Sequence, residues 1–107
     1  MTTQFEKDMQ SPHKGLFLKV RELLLTMDGI EEIQKNRITT FSNRDGGICH
    51  LRTMPHGIDI GFLKGAKMTD EQERLTGTGK AIRVLALSEF EKEVCTFYLE
   101  QAVLLNR

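Results

Sequence analysis

Apolar residues at Leu16, Phe17, Val20, Leu23, Leu24 and Met27 repeat with the one-sided spacing of an amphipathic helix. Ser11 followed by Pro12 predicts its start. Serine caps the first turn, and proline loses nothing where the amide would go unpaired. Gly29 predicts a left-handed stop. Ahead of Ser11, Phe5 and Met9 fall on one side of a short extra turn.

After Gly29 the period changes. The β-branched run Ile38-Thr39-Thr40 with Phe41 predicts a strand. Residues 31–36 fit either a continuation of the helix or the entry to that strand, and the pattern leaves both open. Asn43 to Gly47 (NRDGG) predicts a turn, because asparagine and glycine reach positive φ at low cost. Ile48 to Thr53 and Ile58 to Leu63 then flank Met54-Pro55-His56-Gly57, the pattern of a β-hairpin. Pairing Thr53 with Ile58 puts Cys49, Leu51 and Thr53 on one face with Ile58, Ile60 and Phe62. Arg52 then lies opposite Asp59 on the other face. A slip of one residue would set the apolar set beside His50 and Arg52. Burying a large apolar side chain contributes roughly 1.5–3 kcal/mol, against roughly 0.2–1 kcal/mol for an exposed cross-strand ion pair. The apolar residues therefore set the register.

Thr69 to Gln72 (TDEQ) matches a capping box and predicts a small helix ended by Gly77-Thr78-Gly79. Ala81 to Leu87 reads as a further strand. Ser88 to Glu91 (SEFE) is a second capping box, with Phe90, Val94, Phe97, Tyr98 and Leu105 as the buried stripe of a C-terminal helix. The order α, β, β, β, α, β, α lacks regular alternation. It predicts one α+β domain over 1–107, an antiparallel or mixed sheet of about four strands packed by an N-terminal and a C-terminal helix.

Charge narrows the partners. Fifteen basic residues balance fifteen acidic ones, with no Trp and a single Tyr, Tyr98. Nucleic-acid binding draws on a cationic excess set against phosphates, so nucleic acid is not expected as a partner. No apolar run approaches the length of a membrane span, and the first ten residues carry no export or organellar pattern. Membrane association is not expected and the cytoplasm is the default location. Cys49 and Cys95 have no metal or redox spacing and read as small buried hydrophobes in a reducing compartment.

Gly77-Thr78-Gly79-Lys80 resembles part of a phosphate loop. Arg74 and Ala81, however, occupy the positions where that motif needs a glycine and a hydroxyl. The same loop leads out of a helix, so no helix N-terminus faces a ligand there. A looser anion site is the sharper expectation. Lys64 and Lys67 lie in the turn after the hairpin, and Lys80 and Arg83 flank the next strand. If that strand neighbours the hairpin, the four cations converge, with Gly65, Gly77 and Gly79 allowing close backbone approach. His13, His50 and His56 share no metal-ligand spacing, so no metal site is assigned. Of the acidic groups Glu31-Glu32, Asp70-Glu71-Glu73 and Glu89-Glu91-Glu93, two lie in first turns of the expected helices and read mainly as charges that offset the helix dipole. A hard cation such as iron on oxygen ligands is the alternative. No catalytic residues and no cofactor are assigned, because neither cysteine has a visible base and orienting group.

The stretch GIDIGFLKGAKMTDEQERLTGTGKAIRVLAL, Gly57 to Leu87, resembles the signature region of the YdhG-like family of small bacterial domains. The matching features are Phe62-Leu63-Lys64-Gly65-Ala66 after an apolar strand, a short helix, and Gly77-Thr78-Gly79-Lys80-Ala81-Ile82-Arg83 opening the next strand. The flanking segments are similar in order and length. The resemblance implies a compact α+β fold and places the family's recurring Lys and Arg at Lys80 and Arg83. One branch of that family is associated with frataxin-like intracellular iron delivery. The first helix here carries Lys14, Lys19 and Arg21 against Glu22, not a continuous acidic ridge. The leading expectation is therefore an uncharacterised, non-enzymatic binding module that engages a small anion or a partner protein. An iron-handling chaperone is the alternative. Monomer and homodimer both stay open. The hairpin's second face, with Ile48 and Leu63 beside His50, Arg52 and Asp59, is expected to be half-covered by a helix or a second subunit.

Overall fold

In the computed structural model, which describes residues 3–106, the chain opens with helix α1 (Gln4–Asp8), capped by the Thr3 hydroxyl, which accepts from the Glu6 amide at 3.2 Å. Helix α2 (Lys14–Leu25) comes next, starting two residues later than Ser11-Pro12 suggests. Ser11 Oγ accepts the His13 amide at 3.0 Å, and that local turn holds the Ser-Pro pair outside the helix. Phe17, Val20 and Leu24 form its fully buried stripe, and Gly29 takes φ 75° beyond its end.

Six antiparallel strands succeed the helices: β1 (Glu31–Gln34), β2 (Thr39–Asn43), β3 (Gly46–Met54), β4 (Gly57–Phe62), β5 (Leu75–Thr76) and β6 (Arg83–Leu87). They lie in the order β1-β2-β3-β4-β6-β5. The sheet is therefore wider than the four strands expected, because residues 31–34 form an edge strand and Leu75-Thr76 add the opposite edge. The β3–β4 hairpin pairs Thr53 with Ile58, Leu51 with Ile60, Cys49 with Phe62 and Arg52 with Asp59, the register set by the apolar residues. β6 continues it, with Ile58 opposite Leu87 and Ile60 opposite Leu85.

Two segments depart from the sequence reading. Thr69–Gln72 starts no helix. The Asp70 carboxylate accepts from the Arg74 and Leu75 amides at 2.8 and 3.1 Å and folds the backbone into a turn that enters β5. A helix cut off by Gly77 would have had too few residues to offset its nucleation cost, and a short acidic side chain competes well for local amides. The second helix-start motif also fails. Helix α3 (Lys92–Leu105) begins beyond Ser88, and Glu91 at its N-cap makes no side-chain cap bond. The Glu91 carboxylate instead takes both guanidinium nitrogens of Arg74, at 3.0 and 2.7 Å. The buried stripe rotates accordingly to Cys95, Tyr98, Leu99 and Ala102, leaving Phe90, Val94 and Phe97 partly buried at its margin.

All the core lies on one side of the sheet. The buried stripes of α2 and α3 meet Phe41, Leu51, Ile60, Phe62, Leu85 and Leu87 there, and Phe5 of α1 sits edge-on to Phe17. A bulge between β2 and β3 leaves Ile48 without a partner in β2, since Phe41 pairs with Cys49 and Ser42 with Gly47. Bulged residues break the strict alternation of faces. Ile48 joins the core at 2% exposure instead of lying with His50 and Arg52. Leu63 packs where a Gly47 Cβ would stand. On the hairpin's second face Arg52 and Ala86 are exposed, while His50 and Asp59 are partly buried. Among the described residues no helix is long and apolar enough to cross a membrane.

Candidate functional site

The two cation-bearing segments meet because β6 pairs with β4. Phe62 and Arg83 form the last rung of that ladder, so the chain leaving β4 and the chain entering β6 start side by side. Lys64 and Lys67 bracket a single 3-10 turn, Gly65–Lys67, whose Ala66 amide donates to the Ala81 carbonyl at 2.8 Å. Gly65 is buried there, and a Cβ on it would stand 2.5 Å from both the Cβ and the backbone nitrogen of Arg83. Its lack of a side chain thus serves the contact between the segments. Gly77 takes φ 127° and turns the chain back toward β6, while nothing lies within 4 Å of a Cβ on Gly79.

Arg83 differs from the lysines. It is half-buried, and its guanidinium donates to the carbonyls of Gly79 and Ile82 at 2.7 and 2.9 Å. It thereby braces the loop that carries Lys80. Lys64, Lys67 and Lys80 are exposed. Among the described residues, none of the four cations lies within ion-pair distance of a carboxylate; the ion pairs there are Arg21–Glu32, His56–Asp59 and Arg74–Glu91. What the fold assembles is a pair of adjoining loops. Two clefts away from this loop pair have acidic residues among their lining. One runs along α3 between Glu71, Glu93, Phe97, Glu100 and Leu104, and another is lined by Asp28, Glu31 and Asp45.

A polar network anchors the base of this loop pair. Asp70 accepts from the Tyr98 hydroxyl at 2.6 Å besides its two backbone amides, and Arg74 beside it holds Glu91 in a two-point pair. Burial opposes ionisation of Asp70, but the Tyr98 hydroxyl and the two amides outweigh it and hold the carboxyl below its ordinary range. The Arg74 guanidinium does the same for Glu91. Burial, then the Asp70 hydrogen bond, pushes the Tyr98 hydroxyl up. None of these four residues stands out in the sequence as a set. Arg74 and Glu91 lie in separate segments, and the one local signal, an acid before a short polar stretch, fits a helix start equally well.

On the open face of the sheet the His50 ring covers Gly61, and burial, with Arg52 adding to it, lowers its pKa. His56 contacts Asp59 at 2.8 Å. Burial pushes the thiol of Cys49 up to about 12, and burial with the nearby Glu91 charge takes Cys95 to about 11. Both stay protonated and poorly nucleophilic at neutral pH. Among the described residues, no group of three or more His, Cys, Asp or Glu side chains is placed to hold a metal ion. No family model, curated protein or solved structure matches the chain.

Proposed function

We propose that the chain is a binding module that recognises an anionic group on the loop pair carrying Lys64, Lys67, Lys80 and Arg83. The observation behind this reading is the 2.8 Å bond from Ala66 to Ala81, which sets two cation-bearing segments edge to edge. Their charges have no carboxylate within ion-pair distance among the described residues. Cations left unneutralised on adjoining loops create a local positive potential in a chain whose net charge is zero. Arg83 braces the loop and the lysines supply mobile donors, so the site favours a carboxylate or phosphate that approaches from outside over a ligand swallowed in a cavity. A small anion and an acidic group on a partner protein share this chemistry. The frataxin-like alternative has less support, since Asp70, Glu91 and Glu32 are each engaged by donors of the fold itself.

The test is thermal shift and calorimetry against inorganic phosphate, nucleotides, di- and tricarboxylates and an acidic peptide. Binding should raise the melting temperature as ligand concentration passes the dissociation constant. The triple substitution Lys64→Ala, Lys67→Ala, Lys80→Ala should abolish that rise while changing intrinsic stability by no more than ~0.5 kcal/mol, as exposed positions do. A shift that survives the triple substitution, or no shift with any anion in the panel, would count against the site.

A further inference from the structure

The β1 edge of the sheet carries a self-complementary pattern. The Lys35 amide donates to the Ile38 carbonyl at 2.9 Å, which closes the turn between β1 and β2. Hydrogen-bonding residues alternate along an antiparallel pair. With Gln34 opposite Thr39 and Ile33 opposite Thr40, the main-chain groups of Ile33 and Glu31 therefore turn toward β2. Those of Glu32 and Gln34 point outward from the sheet. The Lys35 carbonyl accepts the Gln4 amide at 3.3 Å, so α1 begins where this edge strand ends. Glu31, Ile33 and Lys35 share one face by alternation, and Ile33 is 44% exposed.

We propose that β1 pairs antiparallel with β1 of a second copy, across a two-fold axis at Ile33. This register brings Glu32 opposite Gln34 of the other copy, twice. These are the residues whose amides and carbonyls point outward, so both ladders of main-chain bonds form at once. Ile33 meets its own symmetry mate in the closer, non-hydrogen-bonded pairing. Glu31 meets Lys35 of the other copy on each side of it, an opposite-charge cross-strand pair. Shifting the axis to residue 32 would set Glu32 against Glu32, and shifting it to residue 34 would bury Ile33 against Lys35. Charged residues on a short edge strand repel most incoming strands. Here the same charges select one partner and one register, because an interface about a two-fold axis must complement itself. The strand is short, so the contact buries less than the ~1,200 Å² at the lower end of stable interfaces, and the dimer is weak and concentration-dependent.

Sedimentation equilibrium over a wide concentration range tests this directly. The native chain should dimerise reversibly. Glu31→Lys and Lys35→Glu should each weaken the dimer by roughly tenfold, because symmetry applies every like-charge contact twice. The double variant Glu31→Lys with Lys35→Glu should restore it. Gln34→Pro should abolish association, since it removes an outward amide that the β1–β2 ladder does not use. If that variant fails to fold, the charge-exchange series still decides. A chain that stays monomeric at every concentration, a dimer indifferent to the single exchanges, or a double variant as weak as the singles would overturn the proposal.

Discussion

Two connections leave β4, one at each end, and they are held by opposite means. At its start, the tight Met54–Gly57 turn joins β3 to β4, and six consecutive residue pairs lock the two strands together. At its end, residues 63–82 leave the sheet, touch it only as the two-residue edge strand β5, and return as β6. That excursion is held at points: Ala66 on Ala81, Asp70 on Tyr98 and two amides, Arg74 on Glu91, Arg83 on its own loop. A ladder of apolar pairs makes position redundant, since any one contact has neighbours that enforce it. Point contacts between polar groups hold a segment only while each partner keeps its charge and its geometry. The difference separates a rigid scaffold from a segment that can carry exposed cations without disturbing the core.

The largest effect should come from breaking the rigid side. Gly57 has φ 148°, and a Cβ there would run into the Leu87 carbonyl, with the Leu87 carbon and Ser88 Cα 2.9 Å away. Backbone conformation and backbone collision add, so Gly57→Ala should cost about 2–5 kcal/mol in urea unfolding. A smaller and more local effect is expected on the other side. Tyr98→Phe removes one hydrogen bond to a charged acceptor and should cost roughly 1.5–3 kcal/mol. Hydrogen exchange should then show residues 69–76 opening more readily while the amides of β3 and β4 keep their protection. Equal loss of protection in both regions would dissolve the distinction.

Acid should produce the gentlest version of the same contrast. The folded carboxyls of Asp70 and Glu91 titrate below their unfolded values. Their contribution is complete above the ordinary carboxylate range, near pH ~4, and disappears as pH falls through the lower folded values. Amide chemical shifts of residues 69–76 should therefore hold through the ordinary carboxylate range and move only as pH falls below it. Asp70→Asn should remove most of that low-pH movement.

The same contrast explains what the sequence discloses. The hairpin register is legible because period-two alternation encodes it locally: Cys49, Leu51, Ile58, Ile60 and Phe62 suffice. The one departure there, the placement of Ile48, comes from a bulge, and a bulge depends on how β2 and β3 align. Residues 63–82 are opaque because their geometry rests on distant partners. Asp70 reads as the second residue of a helix start until Tyr98 is brought to it, and Glu91 reads as a cap until Arg74 claims it. Residues 31–36 are ambiguous for a related reason. An edge strand with a single neighbour and one face over Arg21 has no apolar period to announce it. That the segments bearing Lys64, Lys67, Lys80 and Arg83 run side by side follows only from the pairing of β6 with the hairpin.

The two cysteine thiols give this molecule a built-in clock. One lies in the middle of the sheet and the other in the helix beside the Arg74–Glu91 pair. Neither can meet an alkylating reagent until its surroundings part, so the speed of labelling counts openings. If the helix site is labelled sooner than the strand site, the two rates measure how much more often one half of the fold breathes than the other.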